Sequence, residues 1–175
     1  MKTIVGLFDD FAQAKSAALE LESAGISHED ISVVANNETN QHVVNAEGRS
    51  GHAVGHDAKV GAEIGGVAGL LMGLTAFAIP GFGWIAGAGW LAGMIMGAGV
   101  GAVAGGLVGL LTHVGVPAED ASYYTEGVRR GGTLIAVRAE EADVARISQI
   151  LNTRGAANIE ERAASYRNEG FVPQV

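Results

Sequence analysis

Residues 64–118, IGGVAGLLMGLTAFAIPGFGWIAGAGWLAGMIMGAGVGAVAGGLVGLLTHVGVPA, hold no Asp, Glu, Lys or Arg. Within them Gly89, Gly93, Gly97, Gly101, Gly105 and Gly109 recur at four-residue spacing, and Gly61, Gly65, Gly69 and Gly73 do the same upstream. Four residues is close to one helical turn, so each series reads as a bare stripe along a helix. Such a stripe admits a second helix backbone at close range, the small-xxx-small pattern of helix pairing in lipid. Glycine costs about 1 kcal/mol per site in a water-exposed helix, so this many calls for compensating close packing. Pro80, Gly81 and Gly83 mark a tight turn between the two series. The spacing predicts an apolar helical hairpin over 58–113, with helices at 60–79 and 84–111 about 30 Å and about 42 Å long. Both reach the hydrocarbon thickness of a bilayer, about 30 Å. Trp84, near the turn, suits a membrane–water interface, while Trp90 suits packing.

Charge returns on either side of this block. Residues 2–8 alternate as a strand does. Asp9 or Asp10 then caps a helix whose buried stripe is Phe11, Ala14, Ala18 and Leu21. Gly25 supplies the left-handed C-cap. Residues 31–35, ISVVA, read as a strand buried on both faces. The C-terminal part repeats the plan: a strand at 133–137, a helix at 140–154 with buried Val144, Ile147 and Leu151, a stop at Gly155, and a short strand at 158–162. Two strand–helix–strand units packed together give an α+β fold, a ferredoxin-like sandwich with both helices on one face. The domain is discontinuous, 1–35 and 131–165. Between its halves lie a polar linker (36–57), the hairpin, and an amphipathic connecting helix (116–130) that opens at Pro117 with acids in its first turn. Residues 166–175 read as a tail.

Bulk composition removes several classes of function. A net charge of −8 opposes nucleic-acid binding, which needs a basic face. No cysteine is present, so disulfides and thiolate chemistry are excluded. The opening MKTIVGLFDDF is too short in its apolar run for a signal peptide, so the termini are expected in the cytoplasm. His52 and His56, beside Asp57, have helical ligand spacing but lack a third fixed ligand; with His113 at the end of an apolar helix, they predict no metal site. The glycine strings lack the strand and lysine of a phosphate loop, so no cofactor is expected. Tyr123, Tyr124, Arg129 and Arg130, with Trp84, are read as interface anchors that dock the hairpin on the sheet.

The stretch VGLFDDFAQAKSAALELESAGISHEDISVVANN, with its V-G-x-F-D strand end and I-S-V-V strand, resembles the start of the bacterial general-stress-protein family, also described as heat-induced or low-temperature-induced. The segment VPAEDASYYTEGVRRGGTLIAVRA resembles that family's P-x-E-x-A-x-x-Y-x-E-G-x-R-x-G-G pattern leading into a strand. The resemblance implies a bacterial, stress-associated protein and brings no catalytic signature.

The function expected from the sequence is therefore non-enzymatic: a stress protein that inserts its glycine-zipper hairpin into the cytoplasmic membrane, with lipid and further copies of itself as partners. One alternative is a self-assembling cytoplasmic protein whose hairpins bundle into a ring, filament or shell. Another is a small-molecule-binding regulatory module.

Overall fold

The computed structural model describes residues 1–36, 66–68, 71, 74–79, 83–97 and 106–173. Its centre is a five-stranded sheet in which every neighbouring pair is antiparallel. The strands are β1 (Lys2–Phe8), β2 (Ile31–Asn36), β3 (Thr75–Ile79), β4 (Gly83–Ala88) and β5 (Thr133–Ala139), in the spatial order β1-β5-β2-β4-β3. β5 lies between β1 and β2, facing Val5 with Ala136 and Val33 with Ile135. The mixed α+β class expected from the sequence is present.

Alternation along the strands divides the core in two. Phe8, Ile31, Val33, Ala86, Ile135 and Val137 face one side. There they meet Ala14, Ala18 and Leu21 of α1 (Phe11–Ser23) and Ile147 and Leu151 of α5 (Val144–Thr153). Leu7, Val34, Ile85, Leu134 and Ala136 face the other side. They pack against Leu91 of α2 (Trp90–Gly97), Leu107 and Leu111 of α3 (Gly106–His113), and Ala121 and Val128 of α4 (Ala118–Arg129). Each fully buried Leu or Ile contributes roughly 1.5–3 kcal/mol of transfer free energy. The final helix, α6 (Ile159–Asn168), rests on α4 through a small cluster of Tyr123, Ala163 and Tyr166.

Local signals explain the termini of these elements. Asp10 caps α1, accepting from the Ala12 N–H at 2.8 Å. Gly25 follows α1 at φ +90°, the left-handed conformation anticipated there.

Three expectations require correction. The uncharged block is not a helical hairpin. Gly66, Val67, Ala68 and Leu71 are helical, but the chain then enters β3 and β4, which pair from Thr75↔Gly87 to Ile79↔Gly83. The described glycines of the series lie outside both strands, Gly89 in the turn before α2, Gly93 and Gly97 in α2 and Gly109 in α3, so their spacing does not govern residues 75–88. Thr75, Phe77 and Ile79 alternate as strand formers do, and that short-range pattern prevails. Second, no helix among the described residues is long and apolar enough to cross a membrane, which overturns hairpin insertion. The missing charge in 83–97 has another cause: Ile85, Ala86, Ala88, Leu91 and Ala92 are buried within the protein's own layers. Third, residues 158–162 are not a strand. Asn158 caps α6, accepting from the N–H groups of Glu160 at 2.9 Å and Glu161 at 3.4 Å. An Asn followed by two acids is a helix start, and it outweighs the short apolar hint of Ile159. Tyr166, read as the start of a tail, is buried within α6, and Phe171 packs beside it.

Candidate functional site

With no fourth strand at 158–162, β1 forms one edge of the sheet. The direction of its main chain follows from two contacts. The Leu7 carbonyl accepts from the Ala157 N–H at 2.7 Å, and the Val5 carbonyl accepts from the Tyr124 hydroxyl at 3.3 Å. In an antiparallel strand the N–H and C=O of one residue point to the same side. Thr3, Val5 and Leu7 therefore present their main chain outward, and Ile4, Gly6 and Phe8 turn theirs toward β5.

Beside this edge lies a groove of about 480 Å³. Ile4, Val5 and Gly6 form its floor. Ser148, Leu151 and Asn152 of α5 make one wall, Tyr124 of α4 stands opposite, and residues 156–159 close the end. Leu151 and Ile147 anchor α5 in the core, so Ser148 and Asn152, one turn apart, come to the rim on its half-exposed side. Gly6 keeps the floor low. A Cβ there would stand 3.3 Å from Leu151 Cδ1 and 3.4 Å from Ala156 Cβ.

The lining is polar but uncharged near neutrality. Burial, and secondarily the charge of Asp120, pushes the Tyr124 hydroxyl up to about 12. Asp120 is itself raised, by burial first and then by Glu119 and Glu160. The groove offers hydroxyl, amide and main-chain groups that donate and accept hydrogen bonds.

The residues singled out from the sequence are scattered. Tyr124 reaches the groove, whereas Tyr123 points into the α4–α6 cluster, its ring 5.8 Å from that of Phe171. Arg130 stacks over Tyr166 at 4.3 Å and pairs with Glu126 at 2.8 Å and with Glu169. These contacts hold the C-terminal helix to α4. The Arg129 carbonyl accepts from the Asn36 side chain at 3.1 Å, tying α4 to β2. Trp84 lies in β4 opposite Ala78. Trp90, expected to pack, is half-buried and donates to the Asp30 carbonyl at 3.0 Å.

The glycines divide similarly. Gly93 and Gly109 are exposed, and a Cβ on either would meet nothing within 4 Å, so among the described residues no backbone presses on them. Gly89 sits at φ +89°, and a Cβ there would collide with the Ile31 carbonyl and Ser32 Cα. It is a turn glycine between β4 and α2. Gly97 ends α2, and Gly83 opens β4. Gly61, Gly65, Gly69, Gly73, Gly101, Gly105, Pro80 and Gly81 lie outside the described residues, as do His52, His56 and Asp57. His113 closes α3, and among the described residues no group of three or more His, Asp or Glu is placed to hold a metal.

The groove was not legible beforehand. Its signals, Ser148 and Asn152 four apart and an Asn cap at 158, are ordinary until β1 becomes an edge. No protein family, curated protein or solved structure matches this chain.

Proposed function

We propose that this chain is a non-catalytic binding module and that the groove beside β1 is its site for a neutral, hydrogen-bonding ligand. One observation carries the reading: a groove on the sheet edge, into which Val5 turns its main chain, is flanked by Ser148, Asn152 and Tyr124, with no charged group in the lining. Ligand sites commonly combine apolar surface with a few convergent polar groups in this way. The motif resemblance around residues 5–37 and 116–139 supports a stress-associated setting for the module. The β1–α1–β2 unit with β5 between its strands supports a ferredoxin-like ancestry for the half of the sheet that bears the groove.

The probe is N-acetyl-valine-N-methylamide, a neutral molecule with two amides, titrated into the labelled protein at millimolar concentration. Amide resonances of Ile4 to Gly6, Tyr124 and Asn152 are expected to shift together. Ser148→Phe, which fills the groove from its rim, is expected to abolish those shifts. Shifts spread over the whole surface, or unaffected by Ser148→Phe, overturn the reading.

A second reading concerns copies of the chain. The opposite edge strand, β3, carries no charged residue and pairs only with β4 among the described residues. Such an edge is a template for another strand. Two identical uncharged edges meet without repulsion, which supports a homo-oligomer joined through β3.

A further inference from the structure

We infer that the groove takes an extended, uncharged peptide segment, which adds to β1 as a further strand. The inference rests on reading the groove as a binding site and names the ligand's class. At the floor Val5 turns its main chain outward, while Ile4 and Gly6 turn theirs toward β5. Among the described residues the Val5 N–H and the outward groups of Thr3 have no hydrogen-bond partner. The walls separate as the alternate side chains of a strand do. Ser148 and Asn152 stand over Ile4 and Gly6 on one face of the sheet, and Tyr124 stands beside Val5 on the other. A strand laid here would turn one set of side chains to hydroxyl and amide groups and the other set to an aromatic ring. A charged side chain would be carried out of water with nothing to pair it, so the segment is uncharged.

The free length of the edge limits the segment. Ala157 already bonds to Leu7, so the open run is Thr3 to Val5. At about 3.3 Å per residue this suits three to five residues of a partner. A second copy of β1 fits less well. It would bring its own Tyr124 and its own 156–159 segment to the same interface. A bare strand from another protein carries neither obstruction.

Tyr124 sets the affinity. Its hydroxyl occupies the Val5 carbonyl at 3.3 Å, a long bond for O–H···O. The incoming N–H takes that same carbonyl and competes with the tyrosine for it. Removing the hydroxyl frees the acceptor in advance. Tyr124→Phe is expected to tighten peptide binding about three- to tenfold, the value of one ordinary hydrogen bond.

The test uses acetyl-Thr-Val-Thr-Val-Thr-amide and two N-methylated versions, one blocked at the valines and one at the threonines. A docked strand bonds through one side only. One version should therefore lose binding and the other should keep it, with shifts confined to β1, Tyr124 and α5. Tyr124→Phe should lower Kd for the unmodified peptide. Equal binding of both methylated versions overturns the strand geometry. If the peptide fails while N-acetyl-valine-N-methylamide still binds, the strand inference falls and the binding module stands. If neither binds, both fall. An unchanged Kd in Tyr124→Phe removes the role given to the hydroxyl, and the methylation result does not depend on that variant.

Discussion

The two edges of this sheet are finished in opposite ways. At β1, Lys2 is held by Glu141 at 2.6 Å, the Tyr124 hydroxyl covers the Val5 carbonyl, and the Ala157 N–H covers that of Leu7. At β3 the strand Thr75–Ile79 has no charge, and no charge lies within ten residues of it. Proteins suppress unwanted strand pairing with edge lysines, covering segments and blunted main chain. β1 has all three and leaves only a short groove, which is a basis for selectivity. Among the described residues β3 has none of them, which is a basis for pairing with its own kind.

The contrast depends on β1 being clamped against α4, and breaking the clamp gives the largest expected effect. Gly127 and Gly132 lie where α4 crosses Leu7 and Phe8. A Cβ on Gly132 would stand 2.8 Å from the Gly127 carbonyl oxygen and 3.1 Å from that of Phe8. Both obstacles are backbone, which cannot rotate away. Gly132→Ala is expected to cost about 2–3 kcal/mol, at the upper end of overpacking penalties. A fall in Tm of roughly 4–12 °C follows for a chain of this size. Thermal unfolding by circular dichroism measures it, and a Tm within 1 °C of the parent would show that β1 and α4 are not pressed together.

The next effect belongs to the other edge. Thr75→Lys places a charge at the start of β3, where identical copies would then repel. If copies pair through that edge, dissociation is expected to rise about tenfold, the equivalent of about 1.4 kcal/mol. Sedimentation velocity of both proteins reads this directly. Equal sedimentation coefficients across a concentration series would remove β3 as the joining edge.

A smaller effect returns to the end of the groove. Asn158→Ala removes the cap of α6, at a cost of about 1 kcal/mol. Ala157 sits one residue before the cap, so its N–H should leave Leu7 more often. Hydrogen exchange at Ala157 is expected to accelerate about fivefold while exchange in β5 keeps pace only with global stability. Uniform acceleration everywhere would mean that the cap supports the fold as a whole and not the β1 edge.

How much of this was readable in advance follows from range. The elements at both ends, β1, α1, β2, β5 and α5, announce themselves through near-neighbour signals: Asp10 as cap, Gly25 and Gly155 as stops, and Ile147 and Leu151 as one stripe. The uncharged block carries two local signals that disagree. Its spaced glycines suggest helices throughout, whereas Thr75, Phe77 and Ile79 alternate as a strand, and the absence of charge follows from burial of Ile85 and Leu91 in the protein's own layers. Residues 158–162 differ for a narrower reason: the Asn158 cap, with Glu160 and Glu161 behind it, starts a helix and not a strand. The groove arises from that same substitution of helix for strand, so it was invisible to any reading that placed a strand there. The pairing of Tyr123 with Phe171 and of Arg130 with Glu169 spans about forty residues or more, and local sequence carries no record of it.

The smallest predicted effect tests whether charge reaches the β1 edge at all. Asp120 lies one turn before Tyr124 on α4, and its carboxyl is raised by burial, Glu119 and Glu160. A carboxyl raised on folding holds its proton more tightly in the native state. Its contribution to stability is therefore lost as pH rises through the carboxylate range. Asp120→Asn is expected to match the parent in acid and to gain at neutral pH, by less than about 0.5 kcal/mol. The same charge is the second cause, after burial, of the rise of Tyr124 to about 12. Removing it should bring the tyrosinate transition down toward 10 without reaching it, because burial remains. For the parent, native Tyr124 keeps a proton that the unfolded chain releases, so stability declines as pH rises from about 10 to about 12. That decline should be shallower in Asp120→Asn. Tyrosinate absorbance against pH, taken as the difference from the same titration of Tyr124→Phe, follows the hydroxyl. A midpoint that does not move would mean that the groove's one aromatic wall is insulated from the acids of α4, and that burial alone keeps its hydroxyl protonated and available to Val5.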